Sequence, residues 1–371
     1  MHKCNGPRRA LVFACAATVG VLGALTALLP PSDFSAEEKR ALMSWSALSI
    51  DDIADGEFSA KLSKIYEDQF PFRVSFCRIK AVSEYLLGKR ENNGIIFASD
   101  GYLIDRCSYD SLDMARENLE ALKFFAAGVD IPVSIMLAPR SIDVMSGCLP
   151  SLYDTDDSHD VLRLAKDIIP SADIPVEKLR FAAASGTQVQ YRTDHHWTTS
   201  GAYIAYTSLA EELSIIPYPE QYFDVCVSDT DFRGTSYSAA GCICSQSDTV
   251  ELWRYAGDTK YTVRIEETGE ERAGFYVLES TGYEIFLGGN FGRLTVKNEN
   301  EQKPKLLLIK DSYANSLIPF LALHFELDVI DLRYYTGTVG DIISLGEYDR
   351  VLVFQGIDTV ATDASVKKIV R

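Results

Sequence analysis

Leu306-Leu307-Leu308-Ile309-Lys310-Asp311-Ser312-Tyr313-Ala314-Asn315-Ser316 decides the fold class. Its aliphatic run reads as a strand buried on both faces, the kind found in parallel sheets. The spacing then predicts a helix over 312–324. Downstream, Leu327–Leu332 reads as a strand, Val339–Leu345 as a short helix and Arg350–Gln355 as a last strand. Strand, helix, strand at this spacing argues for a parallel sheet with right-handed crossovers. Upstream, Pro132–Leu137 adds a buried strand, with helices at Leu112–Ala127 and Val161–Ile168. The stretch from Ile216 to Lys303 differs. It alternates apolar and polar residues, as in Val250-Glu251-Leu252-Trp253-Arg254-Tyr255, and reads as short antiparallel strands inserted into the α/β core or packed on it. The expected class is α/β: a parallel sheet, flanking helices and a β-rich insertion at about 216–303.

Ser312 falls just past the carboxyl end of the first strand, where open α/β sheets line their ligand crevice. The helix start behind it offers backbone N–H groups suited to a developing oxyanion. A serine is a weak nucleophile until a base takes its proton. The plainer reading of Asp311-Ser312 is a helix cap.

A base is available in Tyr191-Arg192-Thr193-Asp194-His195-His196-Trp197-Thr198-Thr199, in a chain with only 5 histidines. Thr187–Tyr191 reads as extended and Ser200–Leu213 as a helix. In an extended segment residues i and i+2 point the same way. Asp194 and His196 would then share a face, and His195 would point away. A carboxylate beside an imidazole fixes its tautomer and stabilises its protonated form. The same alternation argues against a metal held by Asp194, His195 and His196, and no other His or Cys lies at a typical ligand spacing. His2 lies in a basic tail, His159 in a loop, and His324 at a helix end where a cation suits the dipole.

The chain has 371 residues, 47% hydrophobic and 24% charged, as globular proteins are. Its net charge of -17 argues against nucleic acid as a partner. Lys3, Arg8 and Arg9 precede an uncharged stretch from Ala10 to Leu29, followed by Pro30-Pro31. A helix of that length spans about 30 Å, the thickness of a bilayer core. Basic residues before it favour a cytoplasmic tail and an exported remainder. A cleaved signal peptide is the alternative, but its apolar region would be long and no clean A-x-A site follows. Residues 1–31 therefore read as tail and signal-anchor helix. Residues 32–91 read as a membrane-proximal segment with helices near Phe58–Gln69 and Val74–Leu87. Residues 92–371 read as the main domain, entered through the hairpin signals Asn93-Gly94 and Asp100-Gly101. Cys77, Cys107, Cys148, Cys226, Cys242 and Cys244 lie in the exported part, where disulfides form, and spacing leaves their pairing open.

Asp194-His195-His196-Trp197, Lys310-Asp311-Ser312-Tyr313 and Asp331-Leu332-Arg333-Tyr334-Tyr335 together resemble the bacterial DHHW family. Phe70-Pro71-Phe72-Arg73, Gly101-Tyr102-Leu103-Ile104 and Phe232-Arg233-Gly234-Thr235 also look like family landmarks. That family is similar to the SGNH-hydrolase-like acetyltransferases that modify exported polysaccharides, alginate included. Those enzymes carry an Asp-x-His pair ahead of the serine, the reverse of the usual SGNH order. The resemblance assigns the pair to Asp194 and His196 and the nucleophile to Ser312. Asn290, Arg333 and Tyr313 are weaker matches for holding oxyanion or substrate, since Asn290 lies in a turn-like context and Arg333 suits a plain ion pair. Lys310 stands where an SGNH block has Gly.

The expectation is an exported serine acyltransferase that O-acetylates a cell-envelope or secreted polysaccharide or glycoconjugate through Ser312, His196 and Asp194. No cofactor or metal is expected. The N-terminal helix would hold it in the membrane, with the main domain on the extracytoplasmic side. The family resemblance implies a membrane-bound protein that hands over the acetyl group. A carbohydrate esterase using the same triad is one alternative. A non-catalytic glycan-binding or scaffold protein of the cell envelope is another.

Overall fold

The computed structural model describes residues 5–370 apart from 39, 152, 154, 155, 242, 244, 245, 258 and 259. These group into two compact units, residues 1–93 with 238–243, and residues 94–237 with 244–371.

In the first unit, the stretch Arg9–Leu28 is helical and, with a mean hydropathy of 2.2, long and apolar enough to cross a membrane. Helices Phe58–Asp68 and Arg73–Leu86 follow. Pro71 separates them, and Phe72 between them takes a left-handed backbone (φ 61°). Buried Asp68 ties the unit together by accepting from Arg40 Nη2 (2.6 Å) and Met43 N (2.9 Å).

The second unit is built on strands β1 (Val133–Ala138), β2 (Tyr261–Ile265), β3 (Glu270–Ala273), β4 (Arg293–Asn298), β5 (Lys305–Lys310), β6 (Glu326–Asp331) and β7 (Arg350–Gly356). They form one seven-stranded sheet in the order β3-β2-β4-β6-β5-β7-β1. β6, β5, β7 and β1 are mutually parallel, with Leu308 opposite Val329 and Leu352. β4, β2 and β3 continue the sheet antiparallel. The sheet is thus mixed, and three strands of the β-rich stretch extend it rather than form a separate layer. Val263, Leu294 and Val296 are all buried, so β2 and β4 share the main core, while β3 carries no buried residue. The rest of that stretch makes a hairpin of its own, Phe223–Phe232 with Asp248–Tyr255.

β5 shows why the sheet is covered on both faces. Leu306 and Leu308 enter one core with Trp197, Tyr206 and Phe320. Leu307 and Ile309, on the opposite pleat, enter another with Leu119, Leu122 and Ile357. Helices Asp113–Gly128, Asp156–Ile168 and Ile357–Thr362 cover the second face, and Thr199–Ser208 covers the first.

The helix predicted over 312–324 is instead a 3₁₀ turn, Ser312–Ser316, followed by a short helix, Ile318–Leu321. Pro319 lacks the N–H a continuous helix would need, but it suits the first turn of a new one. Cys15, Cys77, Cys107, Cys148 and Cys226 are free thiols. Cys242 and Cys244 lie outside the described residues, as do His2 and the side chain of His159. His324 is not the cation its helix-end position suggested. It is partly buried, exchanges a hydrogen bond with Tyr206 Oη (2.7 Å), and burial, with Lys303 nearby, lowers its pKa to about 4.

Candidate active site

The carboxyl ends of the four parallel strands bring polar residues to one edge of the sheet. Arg140 follows β1, Asp311 and Ser312 follow β5, Asp331 closes β6 with Arg333 just beyond, and Asp358 follows β7. This is the edge where α/β sheets carry ligand chemistry. A concavity of about 930 Å³ lies at the other edge, lined by Pro304, Asp349 and Arg350 at the strands' amino ends.

Ser312 is placed by its neighbour. Asp311 is buried and caps the turn, accepting from Tyr313 N (3.0 Å), while its second oxygen accepts from Gly356 N (2.6 Å). The cap reading of Asp311 is therefore right, and it does not compete with a role for Ser312. The cap takes up the Tyr313 N–H, and Ala314 N bonds Asp311 O. No bond from the Ser312 N–H is seen among the described residues.

The partner comes from residues 190–198. They are not the extended segment expected from the sequence. Gln190 bridges Trp197, Tyr191 N bonds His196 O (3.2 Å), and the chain between turns back on itself. Asp248 pins this loop. Its buried carboxylate accepts from Arg192 N (2.9 Å), Thr193 N (2.8 Å) and Thr193 Oγ1 (2.6 Å). Asp194 and His196 meet because Asp194 Oδ1 accepts from both His196 N (3.0 Å) and His196 Nδ1 (2.6 Å), an Asx-type turn. Strand alternation plays no part.

His196 Nε2 lies 3.0 Å from Ser312 Oγ. The proton positions follow from chemistry. A carboxylate only accepts, so Nδ1 carries the hydrogen and Nε2 presents its lone pair to the serine O–H. Burial alone would raise the Asp194 pKa. The electrostatic influence of the neighbouring His195 and His196 imidazoles, with hydrogen bonds from His196 and Thr235, outweighs it and holds the group well below the usual carboxylate range. Burial, helped by His195 and opposed by Asp194, lowers His196 to about 4, so its ring is neutral at pH 7.

Three residues without an assigned role complete the arrangement. Thr235 donates its N–H to Asp194 Oδ2 (2.8 Å). Gly234 leaves room for that carboxylate, since a Cβ there would fall 2.2 Å from Asp194 Oδ2. Tyr283 stacks on the His196 ring (centroids 3.8 Å apart, planes 9°), and its hydroxyl donates to Tyr313 O (2.9 Å). The motif Phe232-Arg233-Gly234-Thr235 could have pointed to the first two. Tyr283 left no signal in the sequence.

The remaining expected residues divide. Arg333 forms a two-point ion pair with buried Asp331 (Nε–Oδ1 2.9 Å, Nη2–Oδ2 2.7 Å), the plainer of its two readings. Tyr313 departs from its expected role. Its ring is buried and its hydroxyl donates to the His195 carbonyl, so it braces the loop rather than facing a substrate. Asn290 is half-buried at the end of β5, its Oδ1 accepting from Lys310 Nζ (3.1 Å) and Asn315 Nδ2 (3.1 Å).

His195 does not point away from its neighbour. The two imidazole rings lie 3.8 Å apart, and ligand atoms of Asp194, His195 and His196 all fall within 4.8 Å of one another. The geometric argument against a shared ion therefore does not hold. The hydrogen bonds supply a different one. His196 uses Nδ1 on Asp194 and Nε2 on Ser312, and His195 Nδ1 is engaged with Thr235 Oγ1 (2.8 Å). An ion would have to replace the Asp194–His196 bond.

Comparison with known proteins places the chain among relatives of similar sequence and fold. The family model described as DHHW protein matches residues 179–330. A curated relative, "Probable alginate O-acetylase AlgJ" of Pseudomonas fluorescens, is 24% identical over 176 residues, which cover 44% of this chain and 44% of that protein. The match thus spans less than half of the relative's length. A DHHW family protein from Eubacterium siraeum superposes with a TM-score of 0.62 at 21% identity, covering 75% of this chain and 95% of that one. Bacillus cereus PatB1, solved with a sulfonyl adduct, superposes at 0.61 with 18% identity, covering 75% of this chain and 98% of that one. Over residues 179–330 the chain matches the DHHW protein family, and its α/β fold is shared with the DHHW family protein from Eubacterium siraeum and with Bacillus cereus PatB1.

Proposed function

We propose that this chain is an exported serine acyltransferase that O-acetylates a cell-envelope or secreted polysaccharide. The observation that carries the reading is the unbroken line from Ser312 Oγ to His196 Nε2 (3.0 Å) and from His196 Nδ1 to Asp194 Oδ1 (2.6 Å). In this reading Ser312 Oγ attacks the carbonyl carbon of an acetyl ester and its proton passes to His196 Nε2. Asp194 stabilises the imidazolium that forms. The tetrahedral oxyanion is held by the Ser312 N–H and the amide of Asn290. The donor's oxygen leaves with the proton from His196, and the acetyl group stays on Ser312. A sugar hydroxyl then gives its proton to His196 and takes the acetyl group, which frees the serine.

The relative named as an alginate O-acetylase supports an acetyl-transfer role and a polysaccharide acceptor. The apolar Arg9–Leu28 stretch supports anchoring in a membrane, with the main domain outside the cytoplasm. The partner that the family resemblance suggests is a membrane protein that delivers the acetyl group. The test is p-nitrophenyl acetate turnover by the full chain in detergent, with and without added glycan. Acetylated glycan formed by the wild type and absent with Ser312→Ala is the expected result. Acetate as the sole product across a panel of glycans would make the protein an esterase. Equal release by the wild type and Ser312→Ala would end the catalytic reading in favour of binding.

A further inference from the structure

Lys310 is the last residue of β5, flanked by β6 and β7, and only 1% exposed. A buried ammonium must be matched by oxygen atoms. Its Nζ donates to Asn315 Oδ1 (2.7 Å) and Asn290 Oδ1 (3.1 Å), with Asp331 Oδ2 at 3.6 Å. Burial, opposed by Asp331, lowers its pKa to about 8, so it is mainly charged at neutral pH.

An ammonium offers three hydrogens and no lone pair. Both asparagines must therefore turn their oxygens toward it. Asn315 uses its Nδ2 on Asn290 Oδ1 (3.1 Å), which gives that oxygen a second donor. The Asn290 amide is left with one orientation, oxygen inward and NH₂ outward. Asn315 lies three residues beyond Ser312 in the 3₁₀ turn, where side chains at i and i+3 eclipse. Asn315 thereby shares a face of the turn with Ser312, and Asn290 is hydrogen-bonded to Asn315.

We infer that Lys310 is a positioning residue whose charge fixes the orientation of Asn290, so that an N–H rather than a carbonyl oxygen faces the oxyanion formed at Ser312. The inference rests on the acyl-transfer reading above. Without the charge, the carboxamide can rotate by half a turn and set one oxygen against another. Removing Lys310 does not strand Asp331, because Arg333 holds that carboxylate at two points.

A double-mutant cycle on the full chain tests this, using p-nitrophenyl acetate and the variants Asn290→Ala, Lys310→Met and both together. Loss of one oxyanion donor costs about 10²–10³-fold in kcat. Each single variant is expected to lose about a hundredfold in kcat, with KM within about twofold. The double variant is expected to be no slower than Asn290→Ala, because Lys310 acts through Asn290. Unchanged kcat in Lys310→Met, or losses that multiply in the double variant, would overturn the inference. A second readout does not need turnover. In asparagine-labelled protein, the side-chain amide ¹H–¹⁵N pair identified by its absence in Asn290→Ala should shift or broaden in Lys310→Met. An unmoved pair refutes the lock whatever the kinetics. A wild type no faster than Ser312→Ala would sink the acyl-transfer reading, leaving the amide signals to decide the lock.

Discussion

Gly234 offers a severe test because the smallest possible change should reach the line of Asp194, His196 and Ser312. An alanine Cβ at this position would lie 2.2 Å from both Cβ and Oδ2 of Asp194 and 2.6 Å from its Cγ. Non-bonded carbons rest about 3.5–4 Å apart, so roughly 1.3–1.8 Å of movement is required. All three crowded atoms belong to one side chain. Its Oδ2 accepts from Thr235 N (2.8 Å) and its Oδ1 from His196 Nδ1 (2.6 Å). Either Asp194 swings out or the segment 233–235 retreats, and both routes release the imidazole from its orienting partner. A misplacement of about 1 Å in a reacting group costs on the order of 10²-fold in rate. Gly234→Ala is therefore expected to lower kcat for p-nitrophenyl acetate about a hundredfold in stopped-flow measurements. Overpacking of this kind costs about 1–3 kcal/mol, so the variant should remain folded by circular dichroism with a modestly lower Tm. Wild-type kcat in a folded Gly234→Ala protein would refute the claim that the Asp194 carboxylate orients His196 from this position.

Three further outcomes follow from the same geometry. Asp194→Asn should keep the fold but lose about 10³–10⁴-fold in kcat, because the imidazolium loses its counter-charge and the tautomer its anchor; an effect under tenfold would contradict the assignment. The acid limb of kcat/KM should fall near pH 4 rather than 6.5, reporting the depressed pKa of His196. Stability should decline over the same window, because between pH 6.5 and about 4 the unfolded chain binds a proton that folded His196 refuses. Asp194 adds a further loss at lower pH, as the medium falls below the usual carboxylate range toward its depressed value; a melting temperature flat from pH 7 to 4 would contradict the His196 contribution, and one flat below pH 4 the Asp194 contribution. Prolonged treatment with a chelator should leave p-nitrophenyl acetate turnover unchanged, and a stoichiometric ion in the purified protein would favour a metal held by Asp194, His195 and His196.

The strands around Ser312 were legible because burial on two faces leaves an unmistakable aliphatic run, as in Leu306–Ile309. The α/β class, the position of Ser312 at a strand's carboxyl end and the DHHW resemblance all followed from that run and three short motifs. The pairing of Asp194 with His196 was anticipated for the wrong reason. Alternation along a strand predicted it, whereas a turn pinned by Asp248 and closed by the Asp194 carboxylate produces it. The same error sent His195 to the wrong side. Asp248 and Tyr283 act from 54 and more residues beyond Asp194 in sequence, through contacts that only the folded sheet creates. The β-rich stretch read correctly as antiparallel. Local pattern carries no information about which edge a strand joins, so its addition to the main sheet beside β6 was hidden.

The most direct test of the central claim is mass spectrometry of the intact full-length protein after brief exposure to an acetyl ester at acidic pH, followed by peptide mapping. A single added acetyl group on Ser312, absent in Ser312→Ala and greatly reduced in Asp194→Asn, is the predicted result. An unmodified Ser312 in wild-type protein that turns the ester over, or an acetyl group on another residue that survives Ser312→Ala, would contradict it.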